Sequence, residues 1–236
     1  MASARATLPP NGSPTTASSR RAWNRRERER EIVAATRVLF DERSLMDAPI
    51  EDIARAVGIN KALIYRHFAS KEELFVLTLT SYISELAGLL EEVPETLDPV
   101  AQLEDGWRRY TDYCLAHPAF PECGLSLMRR PASELRQTIS DAVWIRLGQS
   151  MAACLGKLSS ILAIGAVQGA FTVEDPDFTA NHLYTQTLGA MHLARLGVGV
   201  RATANGVPEP FEISPRQVQE ACVAGALASV GATRPT

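Results

Sequence analysis

Apolar residues in the first third of the chain recur at helical spacing. Ile50, Ile53 and Val57 fall three and four residues apart and predict the buried face of a short helix. Gly58 follows and suits the tight or left-handed backbone of a sharp turn. A second apolar stripe comes after the glycine, at Ile59, Leu63, Ile64 and Phe68. The pattern therefore predicts two short helices around a turn over residues 50–68, which is typical of a helix-turn-helix.

The second of these helices has a polar side that points away from its apolar stripe. Asn60, Lys61, Tyr65 and Arg66 lie on that side. In a helix-turn-helix the second helix presents its first residues to base edges in the major groove. The segment 50–68 therefore predicts a protein that binds double-stranded DNA.

The rest of the chain predicts an all-α protein. Asn24 and Glu27 have the spacing of a capping box and predict a helix to about Glu42, while Ser70 and Glu73 open a helix that ends before Pro94. Later helices are predicted over 97–116, 125–130, 133–171, 177–196 and 214–230. The last two begin at Asp175-Pro176 and Ser214-Pro215, each a cap followed by proline. Residues 197–211 predict a loop rich in Gly and Pro, whose only strand signal lies near 198–200.

Charge is divided unevenly along the chain. The whole chain of 236 residues has a net charge of −3, which by itself does not suggest a nucleic-acid ligand. Residues 1–71, however, carry 13 Lys and Arg against 8 Asp and Glu, whereas residues 72–236 carry 11 against 19. A basic head on an acidic body is what a DNA-binding domain attached to a second domain would show. A solvated charged surface would also produce such a division.

A dense run of alternating arginine and glutamate fills residues 25–31. One interpretation is a solvated helix face joined by its own salt bridges. The other is that some of these arginines lie against the phosphate backbone of DNA. We favour the second interpretation for some of them, because the helix-turn-helix follows directly.

Several other classes of protein and site find no support in the sequence. Residues 1–19 lack the apolar segment of a signal peptide, and no run of about 18 apolar residues predicts a membrane span. We therefore expect a cytoplasmic protein that does not contact a membrane. The cysteines (Cys114, Cys123, Cys154 and Cys222) lack the close pairs of a metal site and are interpreted as buried core, with no metal or other cofactor. Acid–base pairs, nucleophile constellations and phosphate loops are likewise not evident, so no catalytic residue is predicted and the protein is not expected to be an enzyme.

The sequence GINKALIYRHF over residues 58–68, followed by ASKEELF over 69–75, resembles the TetR family of one-component transcriptional regulators. The likeness spans roughly residues 28–80. It implies a three-helix DNA-binding head, a helical body that forms a homodimer, and a small apolar or amphipathic effector. The body resembles the family in length, helical content and the Asp175-Pro176 helix start.

The resemblance also implies roles for individual residues. Lys61 matches a position that reads bases or binds phosphate, and Tyr65 matches a tyrosine whose hydroxyl touches phosphate. His67 matches a residue near the DNA backbone, and Lys71 matches a lysine that binds phosphate at the start of the fourth helix. Together with the outward positions of the second helix, the predicted DNA-contacting residues are Asn60, Lys61, Ala62, Tyr65, Arg66, His67 and Lys71.

Two residues of the recognition helix depart from the family pattern. A threonine or serine commonly precedes the Leu-Tyr pair of the family, whereas Ala62 and Leu63 stand here. A hydroxyl contact to the DNA backbone is therefore lost at Leu63, and packing or contact with a thymine methyl group replaces it. This departure leaves the fold unaffected but makes the operator sequence harder to infer.

The predicted organisation has three parts. Residues 1–23 form a disordered basic arm, residues 24–88 the DNA-binding domain, and residues 89–236 a helical domain for effector binding and dimerisation. The last two helices are the family's usual dimer-forming pair. Aromatic and methionine side chains of the body are the candidates for an effector pocket, although such residues more often belong to a core: Trp107, Tyr110, Tyr113, Phe120, Met128, Trp144, Met151 and Phe171.

These observations together predict a repressor that binds a palindromic operator as a homodimer and is released by a small molecule. Two alternatives stay open within the same class: a ligand-dependent activator, or a regulator that needs a co-repressor. From a different class, a helical interaction protein could use the same basic face for a protein partner without DNA.

Overall fold

In the computed structural model, residues 17–43, 49–204 and 206–232 are described. They form ten helices and one antiparallel hairpin. The head contains α1 (Ala17–Arg43), α2 (Ile50–Val57) and α3 (Lys61–His67). The body elements are α4 (Lys71–Glu91), α5 (Pro99–Ala116), α6 (Ala119–Met128), α7 (Ala132–Thr138), α8 (Asp141–Val167), α9 (Pro176–Leu196), β1 (Val198–Arg201), β2 (Glu209–Glu212) and α10 (Pro215–Ser229). The predicted all-α class with an N-terminal helix-turn-helix is confirmed.

Helix α1 begins earlier than the sequence predicts. It starts at Ala17, so Asn24 lies inside the helix and does not cap it. The last residues of the predicted arm, 17–23, are therefore helical, and residues 1–16 lie outside the described residues. The cap prediction failed because a capping box reports only a locally possible helix start, and the Ala-Ser-Arg sequence before Asn24 is itself compatible with a helix.

Each of the three helices contributes apolar side chains to the core of the head. Ile32 and Phe40 of α1 are buried against Ile53 of α2, Ile64 of α3 and the following Phe68. All five side chains expose 4% or less of their surface. Because the stripes face inward, the opposite sides of α2 and α3 are left in solvent.

The body packs around the aromatic residues of α5. Trp107 is fully buried and donates its indole N–H to the Thr187 hydroxyl of α9 at 3.0 Å. Tyr110 is also fully buried, donates to the carbonyl oxygen of Tyr184 at 3.1 Å, and stacks on that ring with centroids 5.4 Å apart. These hydrogen bonds satisfy the polar ends of large side chains that would otherwise be costly to bury.

Three predicted elements of the body were wrong in their boundaries. The single helix predicted over 133–171 is two, because Ile139 and Ser140 adopt extended conformations and α8 begins at Asp141. The helix predicted over 125–130 is the end of α6, which starts at Ala119. The predicted loop after α9 contains a hairpin in which Val198 pairs with Glu212 and Arg201 with Glu209.

Two helices are long and apolar enough to cross a membrane by length and composition alone, which the sequence analysis did not anticipate. The most apolar window of α4 is 67% buried within the fold, and that of α8 is 33% buried. Packing of α4 on α8, α1 and α5 accounts for its hydropathy. Helix α8 keeps Ile145, Ile164 and Val167 exposed on its outer side. Length and composition do not distinguish such core helices from membrane spans.

The four cysteines lie buried as free thiols, as predicted. Burial raises the pKa of Cys123 and of Cys154 to about 12, so both thiols are neutral at physiological pH. Within the described part of the chain, no three His, Cys, Asp or Glu side chains are placed to hold a metal ion.

Candidate nucleic-acid interface

The turn between α2 and α3 is fixed by backbone geometry. Gly58 has a φ of +72°, in the left-handed region that glycine occupies without steric cost. Its neighbour Ile59 donates a backbone hydrogen bond to the carbonyl oxygen of Ala54 at 2.9 Å, which closes the end of α2. The side-chain oxygen of Asn60 then accepts from the Leu63 N–H at 2.8 Å and caps α3. The predicted DNA-contacting Asn60 therefore has a structural role as the cap of the recognition helix.

Helix α3 presents one polar face to solvent. Lys61, Ala62, Tyr65 and Arg66 are exposed, while Ile64 on the opposite side is 1% exposed. Tyr65 keeps 45% of its surface accessible, which is unusual for a ring beside a core and leaves its hydroxyl free to reach outward. The structure thus brings four of the seven predicted residues together on one surface, which we call the recognition face.

Lys61, at the start of the recognition face, forms an ion pair with a residue of α2. Lys61 Nζ lies 2.5 Å from Glu51 Oε1 of α2. The hydrogen bond that Lys61 donates to Glu51 raises the pKa of Lys61, and the same bond lowers the pKa of Glu51. Both side chains are more than half exposed, so the pair is weak and can exchange its partner for a phosphate or a base. Sequence reasoning missed Glu51, because the contact joins two helices across the turn.

His67 is half-buried at the end of α3 and faces the arginines of α1. Burial lowers its pKa, so the imidazole is neutral at physiological pH. Its Nδ1 atom is buried, and no described residue hydrogen-bonds to it. A neutral ring in this position can donate or accept a hydrogen bond but contributes no charge to a phosphate contact.

The start of α4 is tied to the body. Ser70 caps the helix by accepting from the Glu73 N–H at 3.0 Å, which confirms the predicted cap at Ser70. The same hydroxyl donates to the carbonyl oxygen of Thr138, and buried Glu73 accepts from the Ser140 N–H at 3.3 Å. Lys71, the first residue of α4, is therefore placed by bonds to the corner between α7 and α8.

Arginines of the run over residues 25–31 form salt bridges within α1. Arg25 contacts Glu29 at 3.2 Å and Arg28 contacts Glu31 at 2.7 Å, at spacings of four and three residues. These are the salt bridges of a solvated helix face, the first of the two interpretations. Exposed pairs of this kind contribute little stability, so they do not prevent an arginine from turning to a phosphate.

A polar network connects the head to the body at Arg37 of α1. Its guanidinium donates to Glu85 Oε2 at 2.5 Å and to the Tyr113 hydroxyl at 3.3 Å, and it lies over the Tyr82 ring. The Tyr113 hydroxyl in turn contacts Glu85 at 3.0 Å. Burial tends to raise the pKa of Glu85, but the hydrogen bond and charge of Arg37 and the hydrogen bond from Tyr113 together outweigh it, and the net pKa is lowered. We call Arg37, Tyr82, Glu85 and Tyr113 the head–body clamp.

A second contact lies beside this clamp. Asp41 near the end of α1 accepts from the Ala119 N–H at 3.3 Å, and its other oxygen lies 3.1 Å from His117 Nδ1. The two contacts reach the end of α5 at His117 and the start of α6 at Ala119. The position of the head is therefore coupled to α4, α5 and α6 at once.

Most of the predicted effector-pocket residues belong to the packed core. Five are buried, two are partly buried, and Met128 is 45% exposed. The buried ones are Trp107, Tyr110, Tyr113, Phe120 and Phe171, and the partly buried ones are Trp144 and Met151. Met128 lines a surface groove beside the start of α4. The structure therefore does not bring the eight residues together around one cavity within its described part.

Comparisons with known proteins agree with this architecture. Residues 32–77 match the family model described as bacterial regulatory proteins, tetR family. The repressor KstR2 of Rhodococcus jostii is 36% identical over 78 residues, which are 33% of this chain and 38% of KstR2. The activator FasR of Mycolicibacterium smegmatis is 28% identical over 90 residues, covering 38% of this chain and 41% of FasR. The chain thus aligns with less than half the length of these relatives.

Solved structures extend the likeness to the body. The regulator RolR in complex with resorcinol has a TM-score of 0.63 at 18% identity, covering 90% of this chain and 91% of RolR. KstR2 of Mycobacterium tuberculosis has a TM-score of 0.59 at 20% identity, covering 88% of this chain and 96% of that one. At these identities the likeness establishes the fold alone.

The fold and the recognition face define a helix-turn-helix head joined to a helical body. The family match over residues 32–77 shows that this head resembles the DNA-binding region of the tetR family of bacterial regulatory proteins. The resemblance predicted from residues 28–80 is confirmed.

Proposed function

We propose that this protein is a cytoplasmic, homodimeric transcriptional repressor that binds a palindromic operator and leaves it when a small molecule binds the body. The observation that carries the proposal is the recognition face, on which Lys61, Tyr65 and Arg66 are exposed above a packed apolar stripe. Direct readout in the major groove needs such a face at the start of a helix. No catalytic role is part of the proposal.

Operator binding is tested by a mobility-shift assay with the DNA upstream of the protein's own gene. Replacing Lys61 by alanine is expected to weaken binding about tenfold, because a contact to phosphate or a guanine edge is lost. Glu51→Gln is the matched variant: it frees the same lysine and removes a negative charge, so it should tighten binding. The slope of affinity against salt should become shallower for Lys61→Ala and steeper for Glu51→Gln.

Opposite effects of the two substitutions separate a DNA contact from a general loss of structure. Both residues are exposed, so the far-UV circular dichroism and the oligomeric state should not change. A pure protein that gives no salt-sensitive, sequence-specific shift contradicts the proposal and favours the alternative of a protein partner. Transcript levels in a deletion strain then distinguish the regulators: the neighbouring genes rise for a repressor and fall for an activator such as FasR.

The outer side of α9 and α10 supports the proposed dimer. A groove of about 360 Å³ runs between these helices and is lined mostly by apolar side chains. Leu193 of α9 and Phe211 of the hairpin are 37% and 39% exposed at its edges. Gly189 and Gly225 expose backbone nearby, which lets a second helix pair approach closely. A twofold partner on this face would bury the apolar surface and present two recognition helices to two half-sites.

Replacing Gly225 by arginine is expected to convert the dimer to a monomer. A Cβ atom at Gly225 meets nothing within 4 Å, so the protomer tolerates the side chain while a facing helix does not. Sedimentation velocity measures the outcome. Gly156→Arg on α8 is the matched control, since its Cβ atom also meets nothing. Retention of the dimer by Gly225→Arg and its loss in Gly156→Arg would instead assign the contact to α8.

A further inference from the structure

A groove of about 710 Å³ separates the start of α4 from α6. Its volume lies within the usual range of small-molecule sites. The walls are apolar and come from three helices: Phe75 and Val76 of α4, Leu125, Leu127 and Met128 of α6, and Leu135 of α7. Val76 and Leu135 are buried at its base, whereas Met128 is 45% exposed at its edge. Methionine adapts its shape to different ligands, which suits an edge that a ligand must pass.

The mouth of the groove is basic. Lys71, Arg129, Arg130 and His192 lie around it, together with two acids, Glu72 and Glu122. Glu122 is already engaged in an ion pair with Arg195 of α9. Arg129 and Arg130 are exposed and form no ion pair with any described residue. Two guanidinium groups beside an apolar cleft can bind a carboxylate through charge-assisted hydrogen bonds.

We propose that this groove binds a small amphipathic carboxylate, with its apolar body between α4 and α6 and its carboxylate against Arg129 and Arg130. Apolar walls select the body of the ligand, and the guanidinium pair selects an anion over a neutral or cationic molecule. The role of this groove as the effector site of the repressor rests on the proposed function. Ligand binding to the groove can be tested by itself.

The groove lies where a bound ligand would change the position of a residue that is predicted to contact DNA. One wall is the first two turns of α4, which carry the proposed phosphate ligand Lys71. Ser70 and Glu73 connect the same turns to Thr138 and Ser140 at the corner of α7 and α8. A molecule that holds α4 and α6 at a new separation therefore changes the position of Lys71. Its carboxylate also lowers the positive potential at the mouth. Both effects weaken operator binding, provided the ligand prefers the DNA-free conformation.

Isothermal titration calorimetry of the full chain without DNA tests the site, with decanoate as the probe. Decanamide and decylamine have the same chain without the negative charge. Decanoate is expected to bind at least about tenfold more tightly than either, because a charge-assisted contact to arginine contributes about that factor. The double substitution Arg129→Ala with Arg130→Ala should remove this preference, whereas Arg216→Ala on the outside of α10 should not.

Two further variants test the location. Ser126→Trp fills the groove and Met128→Glu adds a repelling charge at an exposed position, and both should abolish decanoate binding. Far-UV circular dichroism and an unchanged oligomeric state show that each variant is folded. Decanoate that fails to bind, binds no better than decylamine, or still binds to both groove variants overturns the proposal. Failure of the proposed function is a different result: the unliganded wild-type protein then gives no operator shift, whatever the calorimetry shows.

Discussion

Replacing Gly165 by alanine is expected to lower the free energy of unfolding by about 2–3 kcal/mol, although alanine is the better helix former. A Cβ atom at this position would lie 2.1 Å from Cδ2 and 2.3 Å from Cε2 of Phe171. The ring has little room to retreat. The chain turns after α8 through hydrogen bonds from Ala170 and Phe171 to the Gly165 carbonyl oxygen, and Phe171 is 5% exposed. Overpacking therefore displaces the end of α8 or the ring itself.

Urea unfolding at pH 7 measures the effect. Gly156→Ala in the same helix is the matched control, because its Cβ atom meets nothing within 4 Å and helix propensity alone should raise stability by up to about 1 kcal/mol. In a double-mutant cycle, Gly165→Ala should cost much less when Phe171 is also alanine, since the clash partner is gone. Equal effects of Gly165→Ala with and without Phe171 would show that the close contact is not the cause.

This contact also shows where sequence reasoning about the body stops. Phe171 was predicted as a pocket residue because aromatic side chains line both pockets and cores. Its burial against a glycine follows from a turn that joins residues six positions apart, and helical periodicity contains no information about such a turn. The same limitation explains the wrong prediction over 133–171, where the extended Ile139 and the hydrogen bonds of Ser140 end one helix and begin the next.

The head was more predictable because its signals are local. The Gly58 turn, the Ser70 cap and the apolar stripes of α2 and α3 each depend on residues within one or two helical turns. The caps at Asp175 and Ser214 were predicted for the same reason and are present. Glu51 is the exception within the head, because its contact with Lys61 depends on how two helices cross.

The groove beside α4 and the head–body clamp could not be predicted from the sequence, because each is formed by residues of different helices. Arg37, Glu85 and Tyr113 come from three helices, and each residue by itself looks like part of a solvated or amphipathic face. Their importance appears only when the fold brings them within hydrogen-bonding distance. Coupling between the head and the body is therefore a property of tertiary packing and not of any single motif.

Replacing Arg37 by methionine is expected to lower the free energy of unfolding by about 2 kcal/mol. Removing one member of a buried ion pair typically costs about 3–5 kcal/mol, and the lower figure applies here because the Glu85 side chain is 47% exposed. The substitution also removes the cation above the Tyr82 ring. Arg216→Met, which breaks an exposed Arg–Glu pair on α10, is the control and should have no measurable effect.

The pH dependence of Glu85→Gln gives an independent measure of the same clamp. The folded protein holds the pKa of Glu85 below its ordinary value of 4.5. The stability that ionised Glu85 contributes is therefore fully present above about pH 4.5 and is lost as the pH falls through the lowered pKa. The difference in unfolding free energy between wild type and Glu85→Gln should be largest near pH 7 and shrink at lower pH. A difference that does not change with pH would show that the carboxylate charge does not hold the clamp.

The clamp variants should also change regulation, because they loosen the link through which the body positions the head. Arg37→Met is expected to weaken operator binding without touching the recognition face, and to reduce the further weakening that an effector produces. Hydrogen exchange should increase in α1 and at the start of α6, where Asp41 contacts Ala119 and His117. A variant that loses stability but keeps wild-type operator affinity and effector response would show that the clamp supports the fold alone. A dimeric, folded variant with lower operator affinity and a smaller effector response would establish the clamp as the route between the two domains.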